Sequence, residues 1–368
     1  MLFTAGQINT LTLSNRIVRS ATAERLTDAA GRPTPPLLDL YRELSAGGVG
    51  LIIAGHLYIH RSGKCHPEMT AIDDDALTPA LAELIEAAHA GESKIAAQIN
   101  HGGMQCSRET VKETIAPSAI DADFLPRPAR AMTEDEIARM IQAYAQAARR
   151  AQAAGFDAVQ LHGAHGYLIS QFLSPFVNRR TDAWGGSFEK RLRFLREVVQ
   201  AVRAEVGTEY PLFIKLGMKD ADVVEGGLTP EDGARIVGEL AAMGLDAVEI
   251  SGGIGGGESL NSVAGIRAPE DEAYFRPLTQ RAREQTDLPI ILVGGMRSRA
   301  VMEEVLAAGD ADFVSMSRPL ICEPDLPRRL RAGQERAACI SGNQCWPKGM
   351  DEGIACKCPG VERPQFDS

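Results

Sequence analysis

The stretch Ala158-Val159-Gln160-Leu161 is a short, mostly apolar run, and the polar sequence His162-Gly163-Ala164-His165-Gly166-Tyr167 follows it directly. A run of this length and character is typical of a strand that is buried on both faces of a parallel sheet. Seven further runs of the same kind lie at residues 16–19, 49–53, 94–99, 212–216, 247–250, 289–293 and 313–316. The repetition of this run along the chain decides the fold class.

Helical patterns separate the apolar runs. Thr133 is followed three residues later by Glu136, the pattern of a capping box at the start of a helix. Residues 77–90 and 187–206 are amphipathic. Eight strands that alternate with helices predict a parallel sheet, and eight is the number that closes a (β/α)8 TIM barrel of the α/β class. Spacing alone leaves an open, doubly wound sheet as the alternative.

Two shorter segments flank the predicted barrel. Residues 2–13 alternate apolar and polar side chains, which predicts a small hairpin that caps one end of the barrel. We expect residues 1–332 to form a single barrel domain and residues 333–368 to form a short C-terminal tail. That tail contains Cys339, Cys345, Cys356 and Cys358.

The composition restricts the class of protein. A chain of 368 residues that is 44% hydrophobic and 24% charged is typical of a globular enzyme. A net charge of −10 disfavours a nucleic-acid partner, which would need a basic surface. No apolar run approaches the roughly 20 residues that cross a bilayer, and the first residues do not resemble a secretory signal. We therefore expect a cytoplasmic enzyme with a small-molecule substrate and no membrane partner; a homo-oligomer stays open.

Glycine, serine and arginine follow the last three predicted strands. Gly253 follows the sixth, Gly294 and Gly295 the seventh, and Ser317 and Arg318 the eighth. Active sites of such barrels lie at the carboxyl ends of the strands, where the last two loops often bind phosphate. Glycine lets the backbone approach an anion, and arginine supplies a forked charged donor. We predict a phosphate site here; the alternative is that the glycine pair only forms a tight turn.

Two imidazoles and a phenol follow the fourth predicted strand. His162 and His165 can donate hydrogen bonds to a carbonyl oxygen and stabilise charge on it, and Tyr167 can deliver a proton. A metal pair is disfavoured because the motif has no carboxylate, and a structural pair is the other alternative. Lys215, near the end of the fifth strand, needs an anionic partner, either a cofactor or Glu249.

In combination, these motifs resemble the old yellow enzyme and NADH:flavin oxidoreductase family, including the barrel domain of bacterial 2,4-dienoyl-CoA reductases. The resemblance covers about residues 1–330. The most specific runs are Gln98-Ile99-Asn100-His101-Gly102-Gly103, residues 162–187, and Asp312-Phe313-Val314-Ser315-Met316-Ser317-Arg318-Pro319.

The resemblance implies that FMN binds without a covalent link across the barrel mouth. Ala21, Thr22 and Ala23 would contact the isoalloxazine ring, and Ala54 and Gln98 would face its pyrimidine side. Lys215 would lie beside ring atoms N1 and O2. The phosphate would be held by the residues of the predicted phosphate site, which are Gly253, Gly294, Gly295, Ser317 and Arg318.

The implied reaction has two halves. NADH or NADPH reduces the flavin, and the flavin then reduces an electron-poor C=C bond of an α,β-unsaturated carbonyl compound. His162 and His165 would bind the carbonyl oxygen, and Tyr167 or water would protonate the α-carbon. Two alternatives stay open: oxidative demethylation of a small methylated amine, caged by Tyr167 and Trp184, and a non-redox phosphate-binding barrel enzyme.

The sequence departs from the family pattern in ways that affect its cofactors. Ala23 stands where relatives often carry the Thr or Cys that tunes the flavin, and Ser317 replaces a common glycine. In the tail, Gly342 stands where a ligand of a [4Fe–4S] cluster would fall. Four thiols remain, namely Cys339, Cys345, Cys356 and Cys358. We expect no metal here, with a rearranged cluster or a zinc site as the alternative.

Overall fold

The strands of the structure, a computed structural model, form one barrel and two small pairs. The structure describes residues 1–125, 127–255, 260–347 and 352–358. The strands in chain order are β1 (Gly6–Ile8), β2 (Leu11–Leu13), β3 (Ile17–Arg19), β4 (Leu51–Tyr58), β5 (Lys94–Asn100), β6 (Thr114–Ala116), β7 (Ala129–Ala131), β8 (Ala158–Gly163), β9 (Leu212–Gly217), β10 (Val248–Ser251), β11 (Ile290–Val293) and β12 (Phe313–Met316).

Eight of these strands form a closed parallel barrel in the order β3-β4-β5-β8-β9-β10-β11-β12. The predicted (β/α)8 barrel is thus confirmed, and each of the eight predicted runs contributes one strand. The open sheet is wrong because the last strand returns to the first. Val314 of β12 pairs with Ile17 of β3, and Met316 pairs with Arg19.

Helices cover the outside of the barrel. They are α1 (Pro35–Ala46), α2 (Thr78–Ala88), α3 (Glu134–Ala154), α4 (Leu168–Leu173), α5 (Phe188–Val206), α6 (Pro230–Met243), α7 (Arg276–Arg283), α8 (Arg299–Ala307), α9 (Arg318–Cys322) and α10 (Leu326–Arg331). The predicted capping box starts α3: Glu136 N donates to Thr133 Oγ1 at 3.2 Å, and Thr133 N donates to Glu136 Oε2 at 2.9 Å. Among the described residues, no helix has the length and apolar character needed to cross a bilayer.

The predicted N-terminal hairpin is formed by β1 and β2, which pair antiparallel. Ile8 and Leu13 are completely buried and pack with Leu51, Phe213 and Phe313 from the amino ends of the barrel strands. Burying each large apolar side chain contributes about 1.5–3 kcal/mol. The hairpin therefore closes the amino end of the barrel, and the carboxyl end is left for the site.

Strand β4 is longer than the sequence pattern indicated because it contains a bulge. Its pairing with β5 runs to Ala54, opposite Ala97, and then shifts before it resumes at Leu57. Gly55 and His56 occupy the irregular part of the strand. A bulge bends its strand and redirects the side chains at that point, commonly beside an active site.

Candidate active site

A buried polar network fills the barrel interior beneath its mouth. Glu249 of β10 is completely buried. It accepts hydrogen bonds from Ser20 Oγ at 2.7 Å, Gln160 Nε2 at 2.8 Å and Ser315 Oγ at 3.0 Å. Lys215 Nζ lies 3.2 Å from Glu249 Oε1 and donates to Ser20 Oγ at 2.7 Å. Glu249, the alternative to a cofactor as the anionic partner of Lys215, therefore forms an ion pair with it.

The network continues to other residues predicted to contact a flavin. Gln98 is nearly completely buried, and its Nε2 donates to Gln160 Oε1 at 2.7 Å. Thr22 Oγ1 and Ser317 Oγ share a hydrogen bond of 2.8 Å, which ties the segment after β3 to the end of β12. Ala54 is buried at the start of the β4 bulge. These side chains are fixed by protein contacts before any ligand binds.

The structure brings the predicted imidazoles and phenol together. The ring centroids of His162 and His165 are 5.1 Å apart, and those of His162 and Tyr167 are 4.6 Å apart. His165 adopts a left-handed backbone (φ 57°), and its Nε2 lies 2.8 Å from Ser251 Oγ. Such a conformation is unfavourable for a residue other than glycine, and it is often found at functional sites.

Electrostatics keep these groups neutral. Burial, followed by the neighbouring imidazole of His165, lowers the pKa of His162 well below its usual value. Burial and the charge of Lys215 do the same to the pKa of His165. Because Ala164 N–H donates to His162 Nδ1 at 3.4 Å, the neutral ring carries its proton on Nε2. Burial raises the pKa of Tyr167, which keeps the phenol protonated. The arrangement offers hydrogen-bond donors and an acid.

A cavity opens beside this cluster at the carboxyl ends of the strands. Seven of the predicted site residues line it: Ala21, His165, Lys215, Gly294, Gly295, Ser317 and Arg318. Other lining residues are Ser20, Ser251, Asn261, Tyr274, Ser315, Ser341 and Trp346. The cavity therefore joins the predicted phosphate site to the imidazole of His165.

The far end of the cavity has the features of a phosphate cradle. Gly294 and Gly295 have φ of 125° and 72°. A Cβ atom at either position would lie 3.0–3.1 Å from the ring of Tyr274, so only glycine fits. The Arg318 guanidinium is held by Val263 O at 2.8 Å and Asn343 Oδ1 at 2.6 Å. A tight backbone and an oriented cation fit the phosphate of a nucleotide cofactor.

Several residues singled out in the sequence do not line this cavity; among the described residues these are Thr22, Ala23, Ala54, Gln98, His162, Tyr167, Gly253 and Trp184. Gly253 packs so closely against Lys219 and Asp220 that a Cβ atom at this position would overlap both residues. Trp184 is buried, and the Arg193 guanidinium lies 4.2 Å from its ring centroid. No described ring contact joins Trp184 to Tyr167. The aromatic cage considered for a methylated amine is not assembled.

Sequence analysis missed the contribution of the tail to the cavity. Ser341 and Trp346 line it, and Asn343 orients Arg318. The cysteine spacing drew attention to a metal, and no motif marks these polar residues as ligand-facing. The domain boundary at residue 332 stays a prediction, although the tail completes a wall of the barrel's cavity.

The four tail cysteines, Cys339, Cys345, Cys356 and Cys358, lie in the described part of the chain as free thiols. Within residues 1–125, 127–255, 260–347 and 352–358, no group of three or more His, Cys, Asp or Glu side chains is arranged to hold a metal. A Cβ atom at Gly342 would lie 3.4 Å from Cys358 Sγ, so the missing ligand position faces another thiol.

Comparisons with known proteins define the family. Residues 1–337 match the model of the NADH:flavin oxidoreductase / NADH oxidase family. An NADPH dehydrogenase from Halalkalibacterium halodurans is 35% identical over 93% of this chain and 96% of its own length. An NADH oxidase from Thermoanaerobacter brockii is 36% identical over 93% of this chain, which spans 52% of that relative. A morphinone reductase structure in complex with tetrahydroNAD has a TM-score of 0.80 and 29% identity, and the match covers 100% of this chain and 98% of that one.

The chain belongs to the NADH:flavin oxidoreductase / NADH oxidase family. The resemblance to old yellow enzymes is thereby confirmed, and FMN is the cofactor of this family. The cavity with its glycine turn, Arg318 and Lys215 fits that cofactor. The non-redox phosphate-binding barrel is no longer a candidate.

Proposed function

We propose that the protein is an FMN-dependent oxidoreductase that takes hydride from NADH or NADPH and reduces an electron-poor C=C bond of an α,β-unsaturated carbonyl compound. The observation that carries the proposal is the contact of His162, His165 and Tyr167 beside the cavity. Bound FMN supplies hydride-transfer chemistry. The protein orients and polarises the substrate.

The two imidazoles bind the carbonyl oxygen of the substrate. As neutral donors, His162 and His165 stabilise the negative charge that develops on this oxygen when hydride reaches the β-carbon. Tyr167 delivers a proton to the α-carbon, because its buried phenol is a protonated acid adjoining His162. Hydride and proton together complete the reduction of the double bond.

The remaining predicted residues bind the cofactor. Lys215 lines the cavity, where its positive charge would stabilise the reduced flavin. Ala21, Thr22, Ala23, Ala54 and Gln98 bind the ring, and Gly294, Gly295, Ser317 and Arg318 bind the phosphate. Gly253 supports this site through packing. Oxidative demethylation of an amine is less well supported, because Trp184 packs against Arg193 and away from Tyr167.

The test follows the flavin. Purified protein should be yellow, should be bleached anaerobically by NADH or NADPH, and should regain its colour with 2-cyclohexenone. Each imidazole donor should contribute about 1–3 kcal/mol to ligand binding. His162→Ala/His165→Ala should therefore weaken phenol binding, measured by flavin difference spectra, by at least about tenfold. The surface variant His89→Ala is the matched control.

Two results would contradict the proposal. Protein that cannot be reconstituted with FMN removes its basis. If a methylated amine reduces the flavin and neither NADH nor NADPH does, the activity is the alternative, oxidative demethylation.

A further inference from the structure

Two additional histidines extend the ring cluster away from His162. The His56 ring centroid lies 6.0 Å from that of His162 and 5.1 Å from that of Tyr167. His66 follows, with its ring centroid 5.7 Å from that of His56. The rings form a continuous row that begins at the proposed carbonyl site. The proposed function uses neither His56 nor His66.

Several nitrogens in this row have no hydrogen-bond partner. His56 is 6% exposed and His66 is 8% exposed. Within the described part of the chain, His56 Nε2 and both ring nitrogens of His66 are buried and have no hydrogen-bond partner. His56 Nδ1 lies 2.8 Å from Asn100 Nδ2, so that ring is held in place. A buried polar group without a partner is unfavourable, and a bound acceptor would relieve this cost.

Arg25 is half-buried, and its positive charge acts on the same rings. Its charge, after the effect of burial, helps to lower the pKa of His56 to about 4, and it also acts on His66 and Tyr167. Arg25 has a left-handed backbone (φ 52°), a strained conformation that the surrounding structure must maintain. No ion pair involves Arg25 among the residues that the structure describes. The charge is available to a ligand.

The backbone around Arg25 is anchored against the bulge of β4. The neighbouring Glu24 is buried and engaged by Arg19, 2.8 Å away, and by the hydroxyl of Tyr41 at 3.0 Å. A Cβ atom at Gly55 would overlap the carbonyl oxygen of Thr22 and the carboxylate of Glu24. The segment that carries Arg25 is therefore packed tightly against the strand that carries His56.

The charged groups around His66 have both signs. Glu68 Oε2 lies 3.6 Å from His66 Nδ1, and this buried oxygen has no hydrogen-bond partner in the described residues. The positive charge of Lys64 lowers the pKa of His66. Burial, followed by the electrostatic effects of His56, Arg25 and Lys64, lowers the pKa of His66 to about 2. His66 therefore meets an anion as a neutral ring, which can donate one N–H hydrogen bond. The remaining nearby acid, Glu24, is already paired.

We propose that Arg25, His56 and His66 form a subsite for a carboxylate that the alkene substrate carries in addition to its reactive carbonyl group. The inference rests on the proposed function, and it names the substrate class. The row of rings starts at His162, so an anion at His56 lies one short carbon chain away from the carbonyl oxygen. The coenzyme phosphates are a second source of anions, which the test separates.

The experiment compares (E)-4-oxopent-2-enoate with its methyl ester on FMN-loaded enzyme. The two probes share the reactive ketone and differ in one charge. Binding to the oxidised enzyme is measured by flavin difference spectra without coenzyme, and reduction is measured as kcat/KM. A hydrogen bond to a charged group is worth about 1.5–3 kcal/mol, so the acid-to-ester preference should fall about 10- to 100-fold in Arg25→Met. Arg32→Met, which removes an exposed charge on the same segment, should leave the preference unchanged.

Each outcome decides a separate point. If neither probe is reduced by the unmodified enzyme, the proposed function fails. If the ester is reduced and Arg25→Met leaves the acid-to-ester preference at its original value, the subsite is refuted while the proposed function stands. A third outcome concerns the coenzyme. If Arg25→Met keeps the acid-to-ester preference but raises the KM for NADPH relative to NADH, the anion at this site is a coenzyme phosphate, and the substrate assignment is overturned. His56→Gln, which alters the subsite without removing a fixed charge, should lower the preference in the same direction.

Discussion

The substitution Gly55→Ala tests whether the bulge of β4 and the segment after β3 depend on their close approach. A Cβ atom at Gly55 would come closer than 3.0 Å to Thr22 O and to Glu24 Oε2. Thr22 O is backbone, so the segment itself must move. Overpacking costs about 1–3 kcal/mol. Movement also disturbs the buried ion pair of Glu24 with Arg19, and the loss of such a pair costs about 3–5 kcal/mol.

We therefore expect Gly55→Ala to lower the free energy of unfolding by about 3 kcal/mol or more. At roughly 2 °C per kcal/mol for a long chain, Tm should fall by about 6 °C. The affinity for FMN should fall as well, because the displaced segment includes Ala21 to Ala23. Urea denaturation, circular dichroism on heating and flavin fluorescence measure the three quantities.

The matched control is Gly238→Ala in α6. A Cβ atom there has no neighbour closer than 3.8 Å, and glycine inside a helix is less stable than alanine by about 0.5–1 kcal/mol. The same chemical change should therefore stabilise the protein at residue 238 and destabilise it at residue 55. A Gly55→Ala protein with the original Tm and FMN affinity would refute the packing argument.

Three further predictions concern the site and its supporting network. Tyr167→Phe should slow reoxidation of the reduced enzyme by 2-cyclohexenone about 10²-fold in stopped-flow measurements, with reduction by the coenzyme unchanged, because only the proton donor is lost. Lys215→Met should cost about 3–5 kcal/mol in urea unfolding, since it leaves Glu249 buried without its counter-charge, and Lys215→Met/Glu249→Gln should recover most of this loss. Equal losses in both variants would contradict the ion-pair argument. Burial lowers the pKa of His101 to about 3, below its value near 6.5 in the unfolded chain. Unfolding between these pH values therefore takes up a proton. As a result, the free energy of unfolding falls by about 1.4 kcal/mol per pH unit as the pH is lowered from about 6.5 towards 3. His101→Asn should flatten that slope in urea titrations, and an unchanged slope would assign the pH dependence to other groups.

The local pattern of the sequence predicted the eight strands and the helices between them, and it left a closed barrel and an open sheet as alternatives. Each of the eight apolar runs is long enough for one buried strand, and parallel strands need a crossover helix between them, so the alternation of the two patterns leaves few folds. The capping box at Thr133 and the hairpin at residues 2–13 were predictable because their signals lie within a few residues. Bulges and short pairs such as β6 with β7 were not, because their partners are chosen by packing.

The sequence also predicted His162, His165, Tyr167 and Arg318 as site residues, since strand ends of a barrel converge on one mouth and the polar residues there stand out from apolar neighbours. Only the tertiary structure placed His56 beside His162, because the bulge that redirects it depends on pairing with β5. The same holds for the tail residue Asn343, which reaches Arg318 across 25 residues of sequence. Contacts between distant segments depend on how the whole chain packs, and no local pattern records them.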